Sequence, residues 1–407
     1  MKKEVLFCSL TILVAFSFTC DLNSQDWPQW LGPDRNATVS GFKVPSAWPA
    51  ELKENWKVTV GTGDASPSLS GSKIYLFTRQ GNDEVILCLD ATTGKETWKS
   101  SYPASSVTGP ASSHPGPRGT PAVANGKVVT YGATGILTCL DASTGKLVWR
   151  KENPANEWPT FFTGSSPLIT DGICIIYTGK TKAGLILALD LNTGNEKWKW
   201  TGDGPSYATP AVMTISGTKQ LVFQTESNLI GLNFADGRLL WEVPAAPAQR
   251  FYNSASPYVD GQTIFYTGQG TGIRAIRIDS QGNTYTAREL WTNNEVGTKW
   301  NTPVLKNGFL YGFSDTRRLF CVNATDGKTA WIDPATNSDF STIVDCGTVL
   351  IGLTSTGNLL VFNPDSRAYG EIKKYKVSDT PVYTFPLVAG NRIYIKDAES
   401  LTLYTIN

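Results

Sequence analysis

Acid-base or metal chemistry in this chain would depend on a single histidine, His114. One histidine excludes a metal site built from several histidines, and only His114 could complete a Ser-His-Asp triad. Ser112 and Ser113 stand beside it but lack the G-x-S-x-G pattern of a nucleophile elbow. No carboxylate lies nearby in sequence to orient the imidazole, so we expect His114 to be a solvated loop residue. The sequence predicts no catalytic residues and no metal ligands.

A wider set of aromatic and polar residues could bind a ligand. They fall in loops between repeated units, where binding residues concentrate. Together they could form an aromatic and cationic pocket for an anionic or carbohydrate-like small molecule, or for a peptide. The alternative is that each side chain packs only its own loop. The candidates are His114, Arg118, Trp158, Tyr207, Arg250, Tyr252, Asn253, Lys299 and Trp300.

A sequence repeat determines where these loops lie. One unit recurs at a mean spacing of roughly 45 residues, in the range of propeller blades. It begins with Ser-Pro or Thr-Pro and ends with a string such as LDATTGKETW. Clear copies occupy residues 66–98, 120–149, 166–198 and 209–241, and divergent copies end at Trp291, Trp331 and about Tyr375.

Each unit has the pattern of a four-stranded antiparallel sheet. Proline is tolerated where it stands at the beginning of a strand. Asn-Gly and Asp-Gly pairs predict the first hairpin, and a Thr-Gly or Asp-Gly pair supplies the positive φ of the last one. Asp90, Asp141 and Asp190 recur just before that last turn, where an aspartate accepts backbone N–H bonds. We interpret them as turn formers rather than paired catalytic acids.

The ends of the chain indicate the number of units. Residues 384–407 contain three strands without a fourth, and residues 52–60 form an isolated fourth strand. Pairing the two closes a ring, which leaves no sheet uncovered. The sequence therefore predicts an all-β, eight-bladed β-propeller of four-stranded antiparallel blades. Residues 52–407 form the propeller, and residues 26–51 are a lead segment.

A tryptophan ends most of the fourth strands. A Trp side chain buries about 150–250 Å² and is suited to packing between neighbouring sheets. We expect these residues to dock the blades rather than to bind a cofactor. They are Trp56, Trp98, Trp149, Trp198, Trp241, Trp291 and Trp331.

Charge and composition restrict the partners. The chain has 36 basic and 35 acidic residues, a net charge of +1, and 17% charged residues in total. A nucleic-acid or anionic-membrane partner would favour a basic surface, so neither is expected. The 38 glycines and 23 prolines fit a chain with many turns.

The first 25 residues have the pattern of a signal peptide. Lys2 and Lys3 precede an apolar run over residues 5–18, which is too short to span a bilayer. Cleavage after Ser24 would release the chain at Gln25. Lipid attachment at Cys20 is the alternative. Either route predicts export to the periplasm or cell envelope, without a transmembrane segment.

Five cysteines remain after the leader, and this odd number argues against a complete disulfide framework. Cys88, Cys139 and Cys321 occupy a strand position that carries Ala188 or Gly231 in other units. A site that accepts all three residue types is small and buried, so we interpret these cysteines as packing residues.

The string DWPQWLGPDR at residues 26–35, followed by blades built on L-D-x-x-T-G-K-x-x-W, resembles the bacterial PQQ-like propeller repeat proteins. That group includes the BamB lipoproteins and the quinoprotein alcohol dehydrogenases, and the resemblance covers residues 26–407. It implies an eight-bladed propeller in the periplasm or at the cell surface. The dehydrogenases also carry adjacent cysteines, calcium ligands and an aspartate base, whereas no two cysteines are adjacent here.

Three functions stay open from the sequence. The first is an exported, non-catalytic propeller that binds an envelope protein, a peptide or a small ligand, as the resemblance to BamB-like members implies. The second is a PQQ- and calcium-dependent oxidoreductase acting on an alcohol or sugar. The third is a carbohydrate-binding module. Because no reactive constellation is present, we expect the first function and no cofactor.

Overall fold

A computed structural model describes residues 26–152, 157–248 and 252–406 of the chain. Within those ranges the chain forms eight four-stranded antiparallel sheets arranged as a propeller. The only helical element there is a short 3₁₀ turn at Gly109–Ala111. The predicted all-β, eight-bladed architecture is confirmed.

In each of the first four blades the strands follow one another from the central channel outward. Blade 1 comprises β2 (Ser68–Ser70), β3 (Lys73–Gln80), β4 (Asp83–Asp90) and β5 (Glu96–Pro103); blade 2 comprises β6 (Ala122–Ala124), β7 (Lys127–Tyr131), β8 (Leu137–Asp141) and β9 (Leu147–Lys151); blade 3 comprises β10 (Leu168–Thr170), β11 (Ile173–Lys180), β12 (Ala183–Asp190) and β13 (Glu196–Gly202); blade 4 comprises β14 (Ala211–Ile215), β15 (Thr218–Gln224), β16 (Asn228–Asn233) and β17 (Leu239–Pro244).

The next three blades repeat this order, and the eighth combines both ends of the chain. Blade 5 comprises β18 (Tyr258–Asp260), β19 (Thr263–Gly268), β20 (Gly272–Gln281) and β21 (Thr284–Asn293); blade 6 comprises β22 (Val304–Lys306), β23 (Phe309–Phe313), β24 (Leu319–Asn323) and β25 (Thr329–Ile332); blade 7 comprises β26 (Ser341–Asp345), β27 (Leu350–Thr354), β28 (Asn358–Phe362) and β29 (Glu371–Lys376); blade 8 comprises β30 (Leu387–Ala389), β31 (Arg392–Lys396), β32 (Ser400–Thr405) and β1 (Lys53–Thr59).

Blade 8 closes the ring as the sequence predicted. Strand β1 pairs antiparallel with β32, from Lys53 opposite Thr405 to Thr59 opposite Ser400. The outermost strand of this blade therefore comes from the beginning of the propeller and its inner three strands come from the end. This pairing makes each end of the propeller dependent on the other.

The repeated aspartates organise the turn between the third and fourth strands. Asp141 Oδ1 accepts hydrogen bonds from the hydroxyls of Ser143 and Thr144 and from both backbone N–H groups. The Ser143 hydroxyl contributes most to lowering the pKa of Asp141, to about 2. Asp90 and Asp190 accept equivalent bonds in blades 1 and 3. These carboxylates stabilise turns by satisfying backbone donors.

The tryptophans of the fourth strands dock one blade against the next. Trp98 of blade 1 donates its indole N–H to the Ala142 carbonyl of blade 2, at 3.0 Å. Its ring also covers Gly145, where an added Cβ would lie 2.5 Å from the indole. Gly145 has a φ of 71°, so the turn and the ring each require glycine. Equivalent indole bonds to the next blade come from Trp56, Trp149, Trp198, Trp291 and Trp331.

Two blades depart from this arrangement. Trp241 of blade 4 donates to Gln220 Oε1 within its own blade, at 2.7 Å. Its neighbour, blade 5, replaces the short turn with the long β20–β21 hairpin. In blade 7 a lysine replaces the docking tryptophan. Lys373 pairs with Val361 beside a β-bulge, and in blade 1 Trp98 pairs with Cys88 at the equivalent position. The repeat is therefore irregular at the outer rim where its sequence degenerates.

The Ser-Pro and Thr-Pro motifs form a hydrogen-bonded belt around the channel. The backbone N–H of Thr120 donates to Ser166 Oγ in the following blade, at 2.9 Å. The same bond recurs three times: a backbone N–H donates to the Ser or Thr hydroxyl of the motif in the next blade, at Ser166, Thr209 and Ser256. Since these groups are buried, the belt satisfies donors that no strand partner reaches.

The lead segment crosses the propeller axis instead of extending a blade. Trp27 forms backbone hydrogen bonds with Leu69 of blade 1, and Val39 forms one with Asp345 of blade 7. Between these points Arg35 Nη1 donates to the Pro210 carbonyl at 3.0 Å, near the first strand of blade 4. Because these blades lie around the whole ring, the segment closes one end of the channel.

Cys88, Cys139, Cys174, Cys321 and Cys346 are all buried and free. Burial raises the pKa of the Cys88 thiol to about 11 and that of Cys139 to about 12. A neutral, buried thiol behaves as a small apolar side chain. The predicted leader and Cys20 lie outside the described residues. Within the described part of the chain, no helix is long and apolar enough to cross a membrane.

Candidate functional site

A cavity lies on the propeller axis, opposite the end that the lead segment covers. It opens at the mouth, defined here as the loops from the last strand of each blade to the first strand of the next, including residues 104–121, 203–210 and 294–303. The axial cavity has a volume of about 450 Å³, which is within the usual range for small-molecule sites. Its lining comprises Trp30, Asp64, Pro110, Ala111, Ser113, His114, Arg118, Phe161, Gly164, Ser166, Tyr207, Thr209, Tyr252, Ser254, Trp300, Asp339, Phe340, Ser355 and Tyr383.

Trp30 of the lead segment forms the floor of the axial cavity. Its indole N–H donates to Ser256 Oγ in the belt, at 3.1 Å. Its ring makes an edge contact with Phe385, with centroids 4.8 Å apart. These two residues belong to blades 5 and 8, so the indole bridges separate sides of the channel. The cavity is therefore blind at its inner end.

His114 is paired with a carboxylate that the sequence did not place near it. Its Nδ1 lies 2.7 Å from Asp64 Oδ2, and the two residues belong to loops of different blades. The imidazole also makes an edge contact with Tyr383. His114 is a loop residue with 34% of its side chain exposed, but Asp64 orients its ring at the cavity wall, so the expectation that no carboxylate would orient it is wrong. With Asp64 accepting at Nδ1, Nε2 is the ring nitrogen left for a ligand.

Two close contacts hold Asp64 beside His114. The Asp64 N–H donates to the Pro117 carbonyl at 2.9 Å, and a Cβ on Gly116 would lie 2.6 Å from Gly63 Cα. Lys396, which is fully buried, donates to the Gly63 carbonyl at 2.7 Å. Burial lowers the pKa of Lys396 to about 8. The two loops therefore approach closely because glycines face each other and a buried ammonium joins them to blade 8.

Arg118 lines the axial cavity and also joins two loops. Its guanidinium donates to the carbonyls of Phe161 and His114, at 2.9 and 3.0 Å. Burial lowers the pKa of Arg118 below its ordinary value, while Asp64 acts in the opposite direction. Because carbonyls already accept several of its N–H groups, the side chain positions the cavity wall as well as contributing a donor.

Three aromatic side chains form one wall of the axial cavity. Tyr252 makes edge contacts with Phe161 and Tyr207, with centroids 5.0 and 5.8 Å away. The Tyr207 hydroxyl accepts a hydrogen bond from the Phe161 N–H at 3.0 Å. Edge-to-face packing of this kind favours a fixed arrangement of the rings. The wall is consequently rigid near its base and exposed at Tyr252.

Trp300 and Lys299 lie in the next mouth loop, between blades 5 and 6. The Lys299 ammonium lies 5.1 Å from the Trp300 ring centroid and 3.0 Å from Asp339 Oδ2. The cation is thus neutralised by an acid of the adjacent loop. The expected cationic mouth is replaced by a rim in which basic groups already have partners.

Three described candidates, Trp158, Asn253 and Lys299, are not among the residues that line the axial cavity. Trp158 stacks on Phe162 with centroids 5.1 Å apart. Asn253 is buried, and its Nδ2 donates to the carbonyls of Thr225 and Ala245. Both pack their loops, as the alternative interpretation expected. Arg250 lies outside the described residues.

Sequence reasoning missed several residues that the fold brings to the axial cavity. The most informative are Trp30, Asp64, Phe161, Asp339 and Tyr383. Trp30 stands in the conspicuous string DWPQWLGPDR, which was a usable signal. Asp64 and His114 are separated by 50 residues, and no local pattern connects them.

The described residues of the axial cavity contain groups that can bind a ligand. The Asp64 and His114 pair can accept a hydrogen bond, and Arg118 can donate one. Ser113 belongs to the lining, yet no hydrogen bond joins it to His114 among the described residues. Nor do those residues contain a group of three or more His, Cys, Asp or Glu side chains placed to hold a metal ion.

The eight blades form a repeat propeller, and the axial cavity at its mouth is large enough for a small ligand. The profile of the family described as outer membrane protein assembly factor BamB matches residues 82–333. This span is more than half of the chain, so the chain belongs to that family.

Known relatives have diverged in function. The BamB of Yersinia pestis is 21% identical over 370 residues, covering 86% of this chain and 87% of the relative. The tetrathionate hydrolase of Acidithiobacillus ferrooxidans is 25% identical over 236 residues, covering 55% of this chain and 45% of the hydrolase. This chain thus matches less than half the length of the hydrolase.

Solved structures share the fold at low sequence identity. BamB from Moraxella catarrhalis superposes with a TM-score of 0.68 at 15% identity, covering 87% of this chain and all of that structure. Quinohemoprotein alcohol dehydrogenase from Comamonas testosteroni gives 0.70 at 14% identity, covering 94% of this chain and 80% of that structure. An assembly factor and an alcohol dehydrogenase share this architecture, so fold alone does not assign an activity.

Proposed function

We propose that this chain is an exported, non-catalytic propeller that binds a polypeptide of the cell envelope at its mouth. The observation that carries this proposal is the pair of exposed aromatic residues on the rim. Tyr252 and Trp300 are 37% and 38% exposed, and both stand above a blind cavity. Exposed tyrosine and tryptophan beside a concave surface are typical of residues that dominate protein interfaces. Similarity to BamB proteins also favours an envelope partner.

Export is the part of this proposal that rests on the leader. The signal-peptide pattern at residues 1–25 favours a periplasmic or envelope location. Cleavage after Ser24 and lipid attachment at Cys20 remain the two routes.

A photo-reactive amino acid at position 252 or 300 is expected to cross-link a partner polypeptide in living cells. Leu147 and Leu239 supply matched control positions, because they are 56% and 40% exposed on outer strands away from the mouth. The measurement is the identity and yield of cross-linked products by mass spectrometry. Products formed equally at the outer positions would contradict a mouth-specific interface.

In the Tyr252→Ala, Trp300→Ala double variant the photo-reactive amino acid is placed at a third position of the mouth. Recovery of the cross-linked partner should then fall by about tenfold or more. Removing one interface aromatic commonly costs more than about 1 kcal/mol, and 1.4 kcal/mol is a factor of ten in affinity. The melting temperature should stay within error of the original chain. A large loss of stability would instead identify the two residues as loop packing.

The residues of the axial cavity do not fit PQQ with calcium. PQQ is a tricarboxylate, and it would need several available cations. Arg118 is engaged by loop carbonyls and Lys299 by Asp339. The free cysteines in the described part of the chain are buried, and no two cysteines are adjacent in sequence, so they do not reproduce the adjacent pair of the quinone-dependent enzymes.

Addition of PQQ with calcium to the purified chain is therefore expected to leave its melting temperature unchanged and to give no dye reduction with alcohols or sugars. A quinoprotein alcohol dehydrogenase reconstituted in parallel serves as the positive control. A rise in melting temperature together with substrate-dependent dye reduction would overturn the non-catalytic assignment.

A further inference from the structure

The axial cavity is closed at its inner end, and the charges of the side chains around it compensate each other. These two properties restrict what can bind in it. Trp30 blocks the inner end through its contacts with Ser256 and Phe385. A polypeptide therefore cannot pass through the propeller along this path. The occupant must be a compact group that enters from the mouth and ends above the indole.

The charges around the axial cavity compensate each other. Asp64 and Asp339 supply two carboxylates, while Arg118 and the ammonium of Lys299 supply two cations. Lys299 is paired with Asp339, and Arg118 is held by carbonyls. A strongly charged ligand of either sign would have to compete with these existing partners. The balance favours a neutral ligand.

Both aromatic rings and polar groups line the axial cavity. Tyr207, Tyr252, Trp300 and Tyr383 supply ring surfaces, and Trp30 supplies another at the floor. Aromatic faces carry partial negative charge and attract weakly positive C–H groups. A ligand that suits this wall has an apolar C–H face and a polar periphery.

The polar groups can both donate and accept hydrogen bonds. Arg118 is a donor and Asp339 an acceptor, and His114 keeps Nε2 for the cavity because Nδ1 is engaged by Asp64. Ser254 lines the same space, and its buried hydroxyl makes no hydrogen bond to any other described residue. A buried polar atom of this kind favours a ligand that supplies a partner.

From this combination we propose that the axial cavity binds a neutral saccharide, one or two pyranose rings in size. A pyranose presents C–H faces to aromatic rings, and its hydroxyls both donate and accept. The ring would stack against the aromatic wall, with hydroxyls directed to Asp339, Arg118 and the free nitrogen of His114. This site shares Tyr252 and Trp300 with the proposed partner surface, but saccharide binding does not require the partner.

Isothermal titration calorimetry of the full mature chain with maltose, cellobiose, lactose and N,N′-diacetylchitobiose tests the proposal. At least one of these neutral disaccharides should bind at millimolar concentration or below. Glucuronate, glutamate and choline test the competing anionic and cationic ligands. Binding of only a charged probe, or of no disaccharide, would overturn the proposal.

Variants locate the saccharide in the axial cavity. Trp300→Ala and Asp339→Asn should each weaken disaccharide binding by about tenfold, whereas Leu239→Ala on the outer rim of blade 4 should have no effect. Trp30→Phe, which keeps a ring at the floor, should retain more affinity than Trp30→Ala. Melting temperatures measured in parallel separate lost binding from lost folding. Unchanged affinity in both Trp300→Ala and Asp339→Asn would place the sugar elsewhere and overturn the assignment.

Partner capture distinguishes failure of this proposal from failure of the scaffold function. A chain that cross-links its polypeptide partner at positions 252 and 300 but binds no saccharide retains the scaffold function and loses only the saccharide assignment. A chain that binds a disaccharide but captures no polypeptide gives the opposite result.

Discussion

Removal of residues 388–407 is expected to abolish cooperative folding of the propeller. The deletion takes away β31 and β32 and leaves β1 without its partner strand. It also removes Ile393, Tyr394, Ile395, Leu401 and Leu403, which are all buried. Burial of one such side chain contributes about 1.5–3 kcal/mol, so five contribute on the order of 10 kcal/mol. This is similar to the total stability of about 5–15 kcal/mol that is typical of folded proteins.

The measurement is the urea unfolding transition followed by tryptophan fluorescence. A circular permutant is the matched control, with a flexible linker from Ile406 to Asp26 and new termini between Gly282 and Asn283. That exposed hairpin tip is remote from the closing blade, and a flexible linker adds only a small entropic cost. The permutant should unfold cooperatively. A truncated chain with a transition near that of the intact protein would contradict closure through blade 8.

Trp98→Ala should lower the free energy of unfolding by about 3–5 kcal/mol, the range for removing a buried tryptophan. The side chain is 9% exposed, and it joins blades 1 and 2 through Ala142 and the surface of Gly145. Both the ring contact and the interblade hydrogen bond would be lost. The neighbouring turn is too rigid to fill the resulting cavity, because Asp141 and its hydrogen bonds hold it.

Trp300→Ala is the control for this measurement, because that tryptophan is exposed on the rim. Its substitution should change stability by no more than about 0.5 kcal/mol. Urea denaturation would give the free energy of unfolding of each variant, with the same dependence of that free energy on urea concentration used for both. Equal effects at the two positions would mean that docking tryptophans do not carry a special share of the stability.

The saccharide and partner proposals place different demands on the same mouth. Tyr252 and Trp300 are exposed and can meet a polypeptide, and both also line the axial cavity together with Trp30 and Asp64. A polypeptide and a saccharide would therefore share the rim, while only the saccharide would extend to the floor at Trp30.

The repeat was visible in the sequence because each of its signals acts over a short distance. A proline at a strand start, a Gly turn and a terminal Trp have local conformational or packing requirements, and these recur in unit after unit. Trp56 and the three strands at residues 384–407 then revealed closure, since an incomplete sheet at each end implies that the ends pair. The long hairpin of blade 5 was also visible as a longer spacing before Trp291.

The candidate site was only partly visible. Arg118, Tyr207, Tyr252 and Trp300 were found because they stand in the loops that a propeller gathers at its mouth. Trp158 and Asn253 stand in the same loops, but their side chains turn into local packing. Sequence position gives the loop, whereas the orientation of a side chain depends on the neighbours that the loop meets.

The eight blades, their closure and the general location of the mouth were predictable from the sequence, because they follow from periodic patterns that each segment carries alone. The closure of the channel by Trp30 and the orientation of His114 by Asp64 became visible only in the folded chain. The lead segment has no repeat to indicate its path, and Asp64 and His114 come from different blades. Such contacts arise when closure of the ring brings distant loops to one axis, so no local pattern encodes them.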